Sequence, residues 1–200
     1  MRLPLALGVR VHKGTPRDFL EKAAGVAGLG MGRPHFYNDE VTIPALAAKG
    51  VPIEDARNYA VVGCVEVAIP GRGLFRTMAG MMNLAKCLEL ALNDGRCMLT
   101  GEQVGPQPAQ EINSYETLHA AYRQQVAYFT RRMIEGMNEG ERLQAQAFPH
   151  PFLSAVTDDC VEKGRDVTDG GARYSATCPN VLGIANLANS LAAIRRVVFA

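Results

Sequence analysis

The chain is predicted to fold as α/β with parallel strand pairing, and three observations lead there. Short β-branched runs alternate with helical stretches along the chain instead of clustering at one end. Apolar residues at i, i+3, i+4 spacing mark amphipathic helices around residues 81–92, 114–137 and 185–198. Gly and Pro fall between these stretches, where elements start and stop.

From the N-terminus, the segment to about residue 14 reads as a strand, with Val9 and Val11 alternating against Arg10 and His12. Thr15-Pro16 places a capping hydroxyl before a proline at the first helical position. Phe19, Leu20, Ala23, Val26 and Ala27 make one face of that helix, and Gly28, Gly30 and Gly32 end it. These glycines follow a helix, not a strand, so they are no dinucleotide fingerprint. Phe36-Tyr37-Asn38-Asp39-Glu40 reads as a turn whose Asn and Asp cap the next helix, from about Val41 to Lys49. Gly50 closes that helix and Pro52 opens another to about Asn58. Ala60-Val61-Val62 is a short strand of buried type, broken by Gly63.

Further on, Met81, Leu84, Ala85, Leu88, Ala91 and Leu92 share a helix face that Gly95 terminates. Residues 96–113 carry Gly101, Gly105, Pro106 and Pro108 and read as a surface loop. Ser114 caps a long helix whose buried stripe is Leu118, Ala121, Tyr122, Gln125, Phe129, Met133 and Met137. His119, beside that stripe, reads as a structural histidine. Pro149 and Pro151 stop the helix. Phe152-Leu153-Ser154-Ala155-Val156 reads as a short buried strand, and Asp158-Asp159 opens a helical turn that Gly164 ends. Gly170-Gly171 permits close backbone approach, and Ala185 to Val198 forms a last amphipathic helix.

Composition narrows the function classes. A formal net charge of +1 over 200 residues gives no electrostatic footprint for nucleic acid or an anionic membrane. The apolar runs fall short of the ~18 residues that a membrane span needs. The five cysteines, Cys64, Cys87, Cys97, Cys160 and Cys178, are odd in number and lack C-x-x-C spacing. Neither a zinc site nor a disulfide framework is indicated, and reduced thiols fit a cytoplasmic protein.

The stretch richest in chemistry is Gly63-Cys64-Val65-Glu66, between the Ala60-Val61-Val62 run and the Pro70-Gly71 turn. Residues two apart in extended chain point to one side, so thiol and carboxylate are placed to face one cavity. A lone cysteine after a buried strand is ordinarily a small core residue. A carboxylate in an apolar segment is seldom buried without a partner, so Glu66 resists that plain reading. A sulfur centre beside a base suits hydrogen-atom chemistry coupled to proton transfer.

Gly63-Cys64-Val65-Glu66 resembles the corresponding motif of the glycyl radical enzymes, in their pyruvate formate-lyase-like dehydratase and lyase branch. The resemblance runs from Val9-Arg10-Val11-His12 through Phe36-Tyr37-Asn38-Asp39-Glu40-Val41 and Asn83-Leu84-Ala85-Lys86. It closes on Asp169-Gly170-Gly171-Ala172-Arg173-Tyr174 and Ser190-Leu191-Ala192-Ala193-Ile194. It implies a ten-stranded α/β barrel with the Cys loop at its centre, of which residues 1–200 supply one part of the catalytic domain. It also implies that Cys64 is the thiyl residue that abstracts a substrate hydrogen, and that Glu66 is the base that deprotonates the substrate as a leaving group departs. The implied cofactor is an organic glycyl radical installed by a radical S-adenosylmethionine activating enzyme, with no metal or other cofactor bound directly. The implied partners are that enzyme, a small-molecule substrate and a second copy of the full-length protein.

The chain also departs from the family pattern. The Arg-Val-small-Gly-Tyr motif that carries the radical is not present, and Gly170-Gly171-Ala172-Arg173-Tyr174 has the wrong order to replace it. The expectation is therefore a fragment, without the N-terminal part and the C-terminal radical domain, inactive on its own. Val65 stands where formate C-acetyltransferases carry a second cysteine, which weakens that alternative. Val67-Ala68 and Thr77-Met78 replace the Pro-Gln and His-Asp pairs of glycerol, propanediol and choline enzymes, which disfavours those substrates. A non-catalytic truncated remnant is the third reading.

Overall fold

The structure is a computed structural model that describes residues 7–63 and 65–199. The chain runs β1 (Gly8–Val11), α1 (Arg17–Ala27), β2 (His35–Asn38), α2 (Asp39–Ala47), α3 (Ile53–Arg57), β3 (Ala60–Val62), β4 (Glu66–Ala68) and β5 (Gly73–Asn83). It continues as α4 (Leu84–Leu92), α5 (Tyr115–Ala147), α6 (Pro151–Ala155), α7 (Cys160–Lys163), a 3-10 turn at Val167–Asp169, β6 (Tyr174–Leu182) and α8 (Ile184–Val197). Three strand pairs form, β1 with β2, β3 with β4, and β5 with β6. Two compact units emerge: the chain up to Phe75 with His150–Ala176, and Arg76–Pro149 with the chain from Thr177.

In the first unit, β1 and β2 are parallel, with Arg10 opposite Tyr37, and α1 makes the crossover between them. β3 and β4 are antiparallel, which corrects the expectation of parallel pairing throughout. The reason is the connection: residues 63–65 can join antiparallel neighbours, whereas a parallel pair needs a crossover of about a dozen residues. Strand β2 takes in Phe36, Tyr37 and Asn38, so this segment is not the expected turn. The expected cap does form, because the Asn38 side chain accepts from Glu40 N at 2.9 Å. At α1 the cap is Pro16 itself, and the Thr15 hydroxyl turns back to accept from His12 N at 2.8 Å. Ala23 of the anticipated stripe is buried, while Phe19 and Val26 stay exposed.

Phe152–Ala155 belongs to helix α6, not to a strand. Pro151 supplies the first helical position, and the Ser154 hydroxyl donates to His150 O and to Asp166 Oδ2 at 2.8 and 2.7 Å. A five-residue apolar run carries too little periodicity to separate the two states. The Asp159 turn and its Gly164 stop form as expected, around α7. A Cβ on Gly171 would lie 2.1 Å from Arg165 O, so the close approach expected of Gly170-Gly171 is real.

Asp166 holds the α6 region together. It accepts from Thr168 Oγ1 and N, Ser154 Oγ, and His150 N, all between 2.6 and 3.0 Å. Burial pushes this carboxyl up, but the hydrogen bonds from Thr168, Ser154 and His150 outweigh it and hold the group well below its ordinary 3.8. A depressed folded value means that the stabilisation is complete above the unfolded value and fades as pH falls through the folded one. Asp166→Ala therefore costs about 2–4 kcal/mol at pH 7. The gap to wild type narrows as urea unfolding is repeated at pH 4, 3 and 2; a gap that does not change with pH counts against this assignment.

In the second unit, Asn83 and Ser114 cap α4 and α5, the latter with a full capping box to Thr117. Their core is Cys87, Leu88, Ala91, Leu118, Ala121 and Tyr122, with Leu187, Leu191 and Ile194 of α8 packed against it. Gln125 is fully buried and donates to Pro106 O at 2.6 Å, which ties the 96–113 loop to α5. Met81 lies in β5, so the helix starts three residues later than its apolar spacing suggests. His119 is exposed, with its ring between those of Tyr115 and Tyr122. Among the described residues, no helix is long and apolar enough to cross a membrane.

Candidate functional site

The β3–β4 hairpin carries the sequence-predicted pair. Cys64 lies outside the described residues. Its neighbours are described: Gly63 adopts φ +62°, ending β3, and Val65 is exposed. Glu66 opens β4 directly opposite Val62 and is half-buried. Its carboxylate folds back over the turn and accepts from Val65 N at 3.0 Å. The carboxylate is thereby held at the hairpin tip, two residues from Cys64 in sequence.

Two polar clamps set the hairpin in place, and sequence reading named neither. Before β3, the Arg10 guanidinium makes a bidentate pair with Asp39, Nε and Nη2 donating at 2.9 and 2.8 Å. Arg10 also donates to Tyr59 O and Arg57 O, both at 3.0 Å, with its guanidinium carbon 3.9 Å from the centre of the Tyr59 ring. The Tyr59 hydroxyl donates to Asp39 Oδ1 at 2.6 Å. Burial and then this bond to Asp39 push the Tyr59 hydroxyl up to about 12, while the Arg10 hydrogen bonds draw Asp39 down. Strand β1, the start of α2 and the chain entering β3 are thus one rigid piece.

After β4, the chain passes through buried Ile69 to Arg72, which pairs with Asp55 of α3 and with Asp158. Asp55 is 4% exposed, and its Oδ2 accepts from the Tyr174 hydroxyl at 2.5 Å. Arg173 pairs with Asp159 at 2.7 Å. Backbone bonds from Asp158 N to Gly71 O and from Tyr174 N to Arg72 O complete this clamp. Asp55 and Tyr174 are 119 residues apart, a separation that no local pattern signals. Tyr37 was visible within the polar-aromatic segment 36–40, though its relation to Glu66 was not.

The described residues include no group of three or more His, Cys, Asp or Glu side chains placed to hold a metal ion. What the hairpin offers is a carboxylate anchored on a turn whose sequence contains one cysteine.

Solved structures share this mixed fold of helices and strands. The glycerol-bound B12-independent glycerol dehydratase from Clostridium butyricum is 38% identical at a TM-score of 0.87, matching 98% of this chain and 25% of its own. A glycyl radical enzyme from Archaeoglobus fulgidus is 34% identical at a TM-score of 0.83, over 96% and 25%. A curated relative, trans-4-hydroxy-L-proline dehydratase of Clostridioides difficile, is 38% identical over 193 residues, or 96% of this chain and 24% of the relative. The model for the pyruvate formate lyase-like family matches residues 4–200, and the chain belongs to that family. It spans about a quarter of the length of the curated relatives it matches.

Proposed function

We propose that this chain is the Cys-loop segment of the catalytic barrel of a glycyl radical dehydratase or lyase that acts on a small hydroxylated substrate. The observation that carries the reading is the Glu66 carboxylate anchored on the turn that contains Cys64. In the whole enzyme the strand pairs are parts of a ten-stranded barrel with this hairpin at its centre.

A glycyl radical installed by a radical S-adenosylmethionine activating enzyme would supply the one-electron chemistry, the Cys64 thiol giving up its hydrogen atom to the glycine carbon to become a thiyl. The Cys64 sulfur takes a hydrogen atom from a substrate carbon, breaking a C–H bond, forming S–H and leaving a carbon radical. Glu66 accepts the proton of the hydroxyl on that carbon. The added negative charge drives out the neighbouring substituent with its bonding electron pair; where that is hydroxide, it leaves as water with the proton that Glu66 has taken up, and the product radical retrieves a hydrogen atom from Cys64. The Val65 N–H holds the carboxylate in place at the hairpin tip. The working enzyme is read as a cytoplasmic homodimer.

Formate C-acetyltransferase chemistry is disfavoured by Val65, which stands where that reaction places a second cysteine. The test is anaerobic activation of the full-length protein that carries this chain, with the radical followed by electron paramagnetic resonance and turnover by product analysis. A doublet signal with turnover that disappears in Cys64→Ser is the expected result. A doublet with turnover intact in Cys64→Ser rules the reading out, and a reading frame that cannot be activated points to a non-catalytic remnant.

A further inference from the structure

Cys97 stands near the start of the 96–113 loop, in the second unit, and the reaction proposed for Cys64 and Glu66 does not use it. Where α4 ends, Asp94 and Gly95 take positive φ, +51° and +80°. Gly95 N donates to Leu90 O at 2.7 Å, which turns the chain back towards the helix it has just left. Residues 97–102 then close a tight turn, with Cys97 N donating to Glu102 O at 2.9 Å.

This reversal gathers three reactive side chains around one nitrogen. Lys86 Nζ, from the first turn of α4, donates to Cys97 Sγ at 3.0 Å. The same ammonium pairs with Glu89, three residues on along the helix. Glu89 Oε1 also accepts from Met98 N at 3.0 Å, so the carboxylate binds α4 to the residue after the cysteine. Lys86 and the Thr100 and Leu99 donors bring the Cys97 thiol down to about 7, against a smaller opposing effect of burial. A substantial share of the sulfur is therefore thiolate at neutral pH. Cys97 is 8% exposed, the Lys86 side chain is 34% exposed, and Met98 and Leu99 are open to solvent. A molecule as small as a peroxide can reach such a pair.

We propose that Cys97 and Lys86 form a redox modification site, where peroxide oxidation of the sulfur ends in a reversible sulfur–nitrogen cross-link between the loop and α4. The Cys97 sulfur attacks one peroxide oxygen and the O–O bond breaks. The sulfur becomes a sulfenic acid, and the other oxygen departs as hydroxide. Lys86 passes a proton to Glu89, and its freed nitrogen attacks the sulfur. The S–N bond forms as the S–O bond breaks, releasing a second hydroxide. Two protons leave the nitrogen, one of them through Glu89, and convert the two hydroxides to water. One peroxide is thus reduced to two waters while thiol and amine are oxidised to a sulfenamide. A dithiol reverses the step: it becomes a disulfide and returns the thiol and the amine.

The experiment treats the full-length protein that carries this chain with hydrogen peroxide, with and without dimedone, and maps its peptides by mass spectrometry. Lys86→Arg and Cys97→Ser are run beside wild type. In wild type, a peptide pair joined through Lys86 and Cys97 is expected, and dithiothreitol removes it. Lys86→Arg keeps the positive charge without the amine, so the cross-link is lost and a dimedone adduct at Cys97 takes its place. Cys97→Ser should show neither product. A dimedone adduct at Cys97 in wild type without any cross-link overturns the proposal, and so does a Cys97 that stays a free thiol. Both of these outcomes are read on wild type, so misfolding of a variant cannot produce them.

Discussion

Replacing Glu66 with glutamine lowers kcat of the activated enzyme by a factor of about 10²–10⁴, the range that general-base catalysis supplies. The substitution is close to isosteric, and an amide oxygen still accepts from Val65 N, so the hairpin tip keeps its geometry. What is lost is a group that can take a proton. Without it, the substrate radical formed by Cys64 keeps its hydroxyl proton, and departure of the neighbouring group has no compensating negative charge to drive it. The glycyl radical signal should therefore match wild type while product falls away. Deuterium supplied on the substrate should also still exchange into Cys64, because hydrogen abstraction precedes the blocked step. Loss of the radical signal together with turnover would instead mean that the variant fails to assemble, and normal turnover with a normal signal removes Glu66 from the chemistry.

The parts of this chain that were legible in sequence are those with a local physical cause. Ser114 announces α5 because its hydroxyl caps a backbone N–H three residues on, and Pro52 announces α3 because its φ suits a helix entry. Ala60-Val61-Val62 reads as a strand because β-branched residues favour extended backbone, although Val62 turns out 41% exposed. The missed strands have equally physical reasons. Strand β5 has Met78 at φ +57°, which breaks the alternation that marks a strand, and β6 contains Pro179, which argues against one. At the site, Cys64 and Glu66 stood out because a carboxylate in an apolar run demands an explanation. Arg10, Asp39, Asp55 and Tyr174 did not, because each looks like an ordinary polar residue until the fold brings its partner to it.

That dependence on distant partners gives Asp55 its consequences. The carboxylate is 5% exposed at its side chain, and its oxygens meet Arg72, the Tyr174 hydroxyl and, at 4.0 Å, Arg173. Removing Arg72 leaves a buried carboxylate with a tyrosine as its remaining close donor, and breaking one side of a buried pair in this way costs about 3–5 kcal/mol. Arg72 is itself 39% exposed, so water partly takes its place, and we expect Arg72→Ala to cost about 2–4 kcal/mol. Arg173→Ala should cost clearly less than Arg72→Ala, because its main partner is the accessible Asp159 rather than Asp55. Urea unfolding followed by circular dichroism checks the ordering, and equal losses in the two variants would show that the buried charge is not the cause. The same clamp fixes the chain that leaves β4, and β4 begins with Glu66. Loosening it should therefore lower kcat through Glu66 even where the protein remains folded, and a double variant with Glu66→Gln should lose no more turnover than Glu66→Gln alone.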